Sequence, residues 1–416
     1  MLDDPLINIP LEKQTKGASI LSSSLNLTNT VIGAGLLCLP SAMMHGGLGL
    51  GLSLLLVVCL LASSSFIFLS SCCSKTGQYS YKGIAKSLLG RRYGSVVELF
   101  VFLYTCGTCI GYNVLIGDFL PSSLPRILPE SAPDFLTNRT YLIILAAALV
   151  LLPLSLLPKL DALRYTSAAA LVCALYLVCM VVYRYVTGTY EVDSPGPVVY
   201  WDFSPKMFLA IPLMAVSFTA HYNVPNLYKE LHNRSPKRFA AVVFISVTCC
   251  ITLFAVIASF GYLSFTNKTD GDILNNYHDD LLADIARAGL SFTLAFSYPL
   301  VCFALRRSIE NMFMGEPEAY WPRQALLATI ITVCAVSVAI LEERITVVLG
   351  ISGSTAGQVI VFILPGIFYL KATSLELPSC KRTISRLIAF LMVVVGLIFM
   401  VMCTYHSVIN MLKGGE

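Results

Sequence analysis

The chain has 416 residues, of which 56% are hydrophobic and only 12% charged, with a mean hydropathy of +0.76 and a formal net charge of +4. So few charged residues leave too little polar surface for a water-soluble protein of this length. The composition excludes a soluble globular protein, gives no footing for a nucleic-acid partner, and makes lipid the main solvent.

A bilayer core of about 30 Å takes about 20 mostly apolar residues per helix. Eleven apolar runs with few or no charges meet that need. Residues 1–17 form a polar cytoplasmic tail without a basic start or a small-residue cleavage pattern, so the first run is expected to be a retained span. Within the tail, Asp3-Asp4-Pro5-Leu6-Ile7 is similar to an acidic dileucine sorting signal. Span 1, Ala18 to His45, carries Gly33-Ala34-Gly35 at its middle and Pro40 shortly after, a pattern that opens a helix backbone. Asn29 lies one turn before that break, flanked by Thr28 and Thr30.

Span 2, Leu48 to Ser71, ends beside Cys72 and Cys73, two candidate lipid acceptors. Span 3, Val96 to Leu120, holds Asp118 near its far end, where a water-facing structural role is expected. Spans 4 and 5 run from Tyr141 to Leu157 and from Tyr165 to Val186. Span 6, Met207 to Tyr228, has Pro212 and then the polar stretch from Ser217 to Pro225, with His221 inside it. Span 7, Phe239 to Phe265, precedes span 8, Ile285 to Leu305, in which Thr293 and Ser297 share one helix face directly before Pro299. Spans 9 to 11 run from Ala325 to Leu341, Thr346 to Leu370 and Ile384 to Val408.

Lys and Arg collect in cytoplasmic loops. With the amino terminus cytoplasmic, twenty of the 28 Lys and Arg fall on that side, which predicts an inside amino terminus and, from an odd span count, an outside or lumenal carboxyl terminus. Two sequons, Asn138-Arg139-Thr140 and Asn267-Lys268-Thr269, then lie outside, as glycosylation requires. The 14 cysteines lie in spans or at inner ends, with none in the outside loops to form a bridge.

Interrupted helices at matching places of two five-span halves point to a secondary transporter built on inverted repeats, with its site at the breaks. The expected organisation is a first repeat over residues 18–186, a second over 207–370, and an eleventh helix with its tail over 384–416. Opening span 1 frees N–H groups at the start of a half-helix, where the dipole favours a carboxylate. Small residues also serve plain helix packing. Hydroxyls of Thr293 and Ser297, with Asn29, offer oxygen ligands for a small hard cation, although Ser and Thr in a bilayer more often bond to their own helix. His221 is a candidate to bond a carbonyl, sense pH or line the substrate path.

Several stretches resemble the amino acid/auxin permease family, within the amino acid/polyamine/organocation superfamily, and most nearly its sodium-coupled neutral amino-acid transporter branch. They are Asn26 to Leu37 with Pro40, Tyr112-Asn113 with Gly117-Asp118, Ser217-Phe218 with His221, Tyr228, Glu230 and Leu231, then Gly261 to Phe265, Tyr298-Pro299 and Ile363 to Leu370. The resemblance implies an all-α membrane protein of 11 transmembrane helices with the leucine-transporter-type five-plus-five inverted-repeat fold and broken helices 1 and 6. It implies a substrate site at Gly33, Ala34, Gly35, Asn113, Ser217, Phe218 and His221, and a cation site at Asn29, Ile32, Thr293 and Ser297. Some members of the family have Thr where Ser297 stands, and a long outer loop with a disulfide that this chain lacks, so Na⁺ and H⁺ both stay open as coupling ions.

The expected function is cation-coupled symport of small neutral amino acids by alternating access, with no cofactor, by a monomer in a plasma or endolysosomal or vacuolar membrane. The alternatives are a proton-coupled or vacuolar or lysosomal exporter, and a non-transporting amino-acid sensor of the same fold. Among the five histidines no His-x-x-x-His or His-Glu-x-x-His pair occurs, and no Walker loop appears, so neither an enzyme nor an ATP-driven pump is expected.

Overall fold

The computed structural model describes residues 17–33, 35–127, 137–157, 166–188, 196–277, 280–314, 320–374, 376–377 and 379–413. Among these the chain is helical throughout, with one isolated bridge between Ala18 and Leu231 and no named strand. The sorting-signal-like stretch at residues 3–7 lies outside the described residues.

The first span is two helices, α1 (Ile20–Val31) and α2 (Gly35–Gly46), bent by 56° at the break. Ser19 caps α1 by accepting from the Ser22 N–H. The chain then turns into α3 (Leu48–Thr76), which ends on Gly77 at φ 66°, a left-handed cap that glycine adopts without a Cβ penalty. A short helix α4 (Tyr81–Leu89) leads into the long α5 (Arg91–Ile127). After Asn138, whose side chain caps the next helix, come α6 (Arg139–Ala146), a π turn at Ala147–Leu151 and α7 (Leu152–Ser155), followed by α8 (Thr166–Thr187).

The sixth predicted span is also split. α9 (Met207–Ser217) stops at Phe218, a 3-10 turn spans His221–Asn223, and α10 (Val224–Glu230) restarts with Pro225 in its first turn. Then follow α11 (Pro236–Phe265), α12 (Leu281–Phe313) and α13 (Trp321–Leu341). The next element begins as α14 (Ile345–Ser352), widens through π turns at Gly353–Gly357 and Val359–Ile363, and ends as α15 (Leu364–Ala372). The last helix is α16 (Cys380–Leu412).

Nine helices among the described residues are long and apolar enough to cross a membrane, and the bent pair α1–α2 makes a tenth. The fourth predicted span is the shorter apolar helix Arg139–Ser155. The element formed by α14 and α15 is 83% buried, whereas α16 is only 22% buried, so α14–α15 belongs to the core and α16 lies at the periphery. Cys72 and Cys73 are fully buried, which removes them as lipid acceptors, and all 14 cysteines are without a disulfide.

Candidate functional site

The two breaks meet. A Cβ built on Gly35 would lie 2.6 Å from the Ser217 Cα and still nearer its hydroxyl, so α2 and α9 touch backbone to backbone at a distance only glycine permits. Around the first break the Ile32 N–H still bonds the Thr28 carbonyl at 2.8 Å, but the Gly33 N–H turns to Val31 at 2.9 Å, and helical bonding resumes only after Gly35. Around the second, the Thr219 N–H bonds Val216 at 2.9 Å and the Asn223 N–H bonds Ala220 at 3.0 Å, both tighter i to i−3 turns. Asn223 also donates its side-chain amide to the Thr30 hydroxyl at 3.5 Å, tying the end of α1 to the turn before α10.

A cavity of about 1050 Å³ runs from these breaks to the end of the bundle at which α1 begins. At the breaks its walls are Asn29, Thr30, Tyr112, Tyr222, Asn223 and Ser297, all uncharged. Towards its mouth stand Lys82, Lys86 and Arg307 with Glu98 and Glu230. Glu98 is buried and accepts from the Ser308 hydroxyl at 2.7 Å and the Asn311 amide at 3.2 Å, which welds α5 to α12 on one wall. At the opposite end of the bundle lies the segment between α11 and α12, whose Ile273 and Leu274 are fully buried.

A second cavity of about 10 Å³, the size of one water or one small ion, lies beside the first break. Ile32, Gly33, Thr293 and Ser297 line it together with Tyr112 and apolar residues of α8 and α12. Thr293 donates its hydroxyl to the Gly289 carbonyl at 2.9 Å. That bond uses the proton and leaves the oxygen lone pairs available to a cation, so bonding within its own helix and cation binding are compatible.

The other predicted residues have different surroundings. Ala34 lies outside the described residues. Asn113 is fully buried and donates to the Cys109 carbonyl at 2.8 Å. The Ser217 hydroxyl bonds Leu213 at 2.8 Å, and Phe218 packs edge-on against Phe254. His221 is fully buried and stacked on Phe66 with ring centroids 4.2 Å apart, away from both cavities. Asp118 is only partly exposed, and its role is the structural one expected. It accepts from the Arg139 guanidinium at 3.1 Å, and the same guanidinium reaches the Ala339 carbonyl at 3.1 Å, joining α5, α6 and α13. Losing the guanidinium would leave a partly buried carboxylate, so Arg139→Ala is expected to lower stability by about 2–4 kcal/mol, read by thermal unfolding in detergent.

Residue types missed the aromatic part of the large cavity. Tyr112 and Tyr222 line it, and the Tyr112 hydroxyl sits 3.5 Å from where a Gly33 side chain would begin. Tyrosine in an apolar run reads equally as core or interface, so only its placement beside a break marks it. The whole arrangement is two interrupted helices beside a polar chamber, uncharged at its inner end, with a niche the size of one ion.

The profile of the family described as transmembrane amino acid transporter protein matches residues 16–409. Vacuolar amino acid transporter 5 of Schizosaccharomyces pombe is 30% identical over 418 residues, covering 96% of each chain. A putative sodium-coupled neutral amino acid transporter 11 of Danio rerio is 28% identical, over 92% of this chain and 85% of its own length. Amino acid transporter AVT6E of Arabidopsis thaliana is 28% identical, over 95% and 86%.

Proposed function

The chain belongs to the transmembrane amino acid transporter family, and from that premise we propose that it carries small neutral amino acids across a membrane by cation-coupled alternating access. The observation that carries this reading is the meeting of Gly35 with Ser217 between two broken helices, beside a chamber lined by Asn29, Thr30, Tyr112, Tyr222 and Asn223. We take the five-plus-five inverted repeat as its frame, with residues 18–186 and 207–370 as the halves and the short helix Arg139–Ser155 as a fourth span tilted or thinned to fit the bilayer.

In this reading the amino terminus is cytoplasmic, so the chamber faces the cytosol. The substrate carboxylate meets the N–H groups at the start of α2, and the ammonium meets carbonyl and hydroxyl oxygens near Thr30 and Asn223. Gly33 and Gly35 let the backbone approach, and Ala34 lies between them. Asn113, Phe218 and His221 support the breaks from behind. The absence of a charged side chain at the chamber's inner end among the described residues favours a neutral substrate over an acidic or basic one. The ion niche of Ile32, Thr293 and Ser297, with Asn29 one turn away, takes Na⁺ or stands aside for a proton.

Purified protein in liposomes, loaded with a panel of radiolabelled amino acids under separate Na⁺ and pH gradients, tests this reading. Uptake of small neutral substrates above empty vesicles is expected. Binding seen as thermal stabilisation without flux would move the assignment to a sensor.

The same topology assigns the outer face to Asn138 and Asn267. Both are exposed, but the Asn267 carbonyl accepts from the Gly196 N–H at 3.0 Å, and its amide nitrogen would lie 3.0 Å from a Gly196 Cβ. That amide is hemmed in, whereas Asn138 only caps a helix through its carbonyl. Expressed in a glycosylating cell, the Asn138→Gln variant is expected to lose a glycan-sized mobility shift, and Asn267→Gln to lose little. A shift unaffected by either change would count against the orientation.

A further inference from the structure

At the end of the bundle opposite the chamber mouth, the segment between α11 and α12 folds into a compact plug. The Asp270 N–H donates to the Asn276 side chain at 2.7 Å and the Asn276 amide donates to the Lys268 carbonyl at 2.8 Å. Arg287 of α12, itself almost fully buried, donates to the Leu274 and Tyr277 carbonyls at 3.1 and 3.0 Å, clamping the plug from below. Gly271 presses on Thr346 at the start of α14, where a Cβ would stand 2.7 Å from the threonine methyl. Ile273 reaches Gly261 of α11 beside Pro40 of α2.

Inside this plug Asp272 is fully buried. One carboxylate oxygen accepts from the Leu274 N–H at 3.0 Å, and the other, Oδ2, has no hydrogen-bond partner. A buried ionised carboxylate with an unused oxygen is costly, and the ordinary remedy is a proton. The charged and titratable groups around it do not remove the need. Asp270 of the same plug and Asp118 of α5 are both acidic and act against its ionisation, Arg287 acts for it, and Cys38 of α2 lies within electrostatic reach. Asp118 has its own partner in Arg139, and the α11 face contributes Tyr262, whose hydroxyl is engaged with Val199.

We propose that Asp272 is a proton-binding site that ties closure of the outer end of the transporter to the acidity of the compartment it faces. The site takes a proton from outer water and holds it on Oδ2 while the plug is seated. Burial first, then the neighbouring Asp118 and Asp270, push the Asp272 carboxyl well above the usual carboxylate range, and the Leu274 N–H and Arg287 only partly offset this. Lifting the plug returns the group toward an ordinary carboxylate near pH ~4. The proton therefore binds the closed state more tightly, and acid favours closure. Between the open-state value and the higher closed-state value the open carboxylate is ionised while the closed one still holds its proton, so opening gains up to about tenfold per pH unit as pH rises across that window and levels off above it. An acidic outer compartment would thus hold the chain with its chamber facing the other side, biasing delivery toward the amino-terminal face.

This rests on the alternating-access reading, but its test needs no substrate, so it can fail while amino-acid transport stands. Cys38 is fully buried within electrostatic reach of Asp272, and the proposal predicts that lifting the plug exposes it. Intact protein in right-side-out liposomes is treated with a membrane-impermeant maleimide between pH 5 and 8, and modification at Cys38 is read by peptide mass spectrometry. Rates are normalised to glutathione to remove thiol chemistry. The wild type is expected to show at least a tenfold rise across this range, and Asp272→Asn a low, flat profile. Asp270→Asn keeps the accepting oxygen but removes a negative neighbour, and should move the wild-type midpoint to lower pH. A flat wild-type profile, a slope in Asp272→Asn equal to wild type, or an unmoved midpoint in Asp270→Asn would each overturn the assignment. Should Asp272→Asn not fold, the wild-type and Asp270→Asn profiles decide it.

Discussion

Substituting Gly35 with alanine is expected to cut amino-acid uptake by about ten- to a hundredfold at equal amounts of folded protein. The added methyl has no room, because its carbon would stand 2.6 Å from the Ser217 Cα and nearer still to the Ser217 side chain. Neither neighbour is the end of a flexible chain. One is backbone, and the Ser217 hydroxyl is already held by the Leu213 carbonyl at 2.8 Å. Relief requires α2 and α9 to separate by a few tenths of an ångström or more, at an overpacking cost of about 1–3 kcal/mol. That displacement falls where a substrate would bridge the two half-helices, so it is read in transport as well as in stability. Ser217→Gly in the same chain removes the side-chain collision and leaves only the backbone approach, so the double variant should recover part of the lost flux. Valine at position 35 should not be rescued at all. Normal uptake by Gly35→Ala would show that the two breaks work without touching, and would remove the main support for the site.

Much of this site was legible in the sequence because a glycine pair and a proline in an apolar run have few innocent explanations. Gly33 and Gly35 announced a break, and the structure bends there by 56°. Ser217 to Pro225 announced the other, since six polar or ring-constrained residues do not suit a lipid-facing helix. What sequence could not give was the direction of side chains within the broken stretches. Helical periodicity sets which residues share a face, and it lapses where the helix does, so His221 was as good a cavity candidate as Tyr222. In the structure His221 stacks on Phe66 and Tyr222 lines the chamber. The π turns at Gly353–Gly357 and Val359–Ile363 were equally hidden. No proline or charge lies within them, and nothing in an apolar composition separates a wide turn from a regular one. For Asp118 the expected structural role holds, but its partner was hidden. A carboxylate near a membrane edge is normally solvated, and its real partner, Arg139, begins a different helix across an intervening loop.

The Thr293→Ala, Ser297→Ala pair is expected to decide the coupling ion. Both hydroxyls line a niche of about 10 Å³ shared with Ile32 and Gly33, too small for any organic substrate. If Na⁺ sits there, each oxygen removed strips one ligand from a cation that has no carboxylate among the niche residues to compensate. A hydrogen-bond-like contact to a charge contributes about 1.5–3 kcal/mol, so each single variant should raise the half-saturating Na⁺ concentration by about tenfold or more. The double variant should do so by about a hundredfold or more. Linkage requires the substrate to show the same coupling in reverse: at low Na⁺ its apparent affinity falls in the variants, and at saturating Na⁺ the difference narrows. A merely structural role for these hydroxyls would lower flux at every Na⁺ concentration alike, without that convergence. If wild-type uptake ignores Na⁺ and follows the pH gradient, the niche is not a sodium site. The coupling proton must then bind elsewhere, on a group reached by both faces in turn, which the buried outer position of Asp272 does not provide.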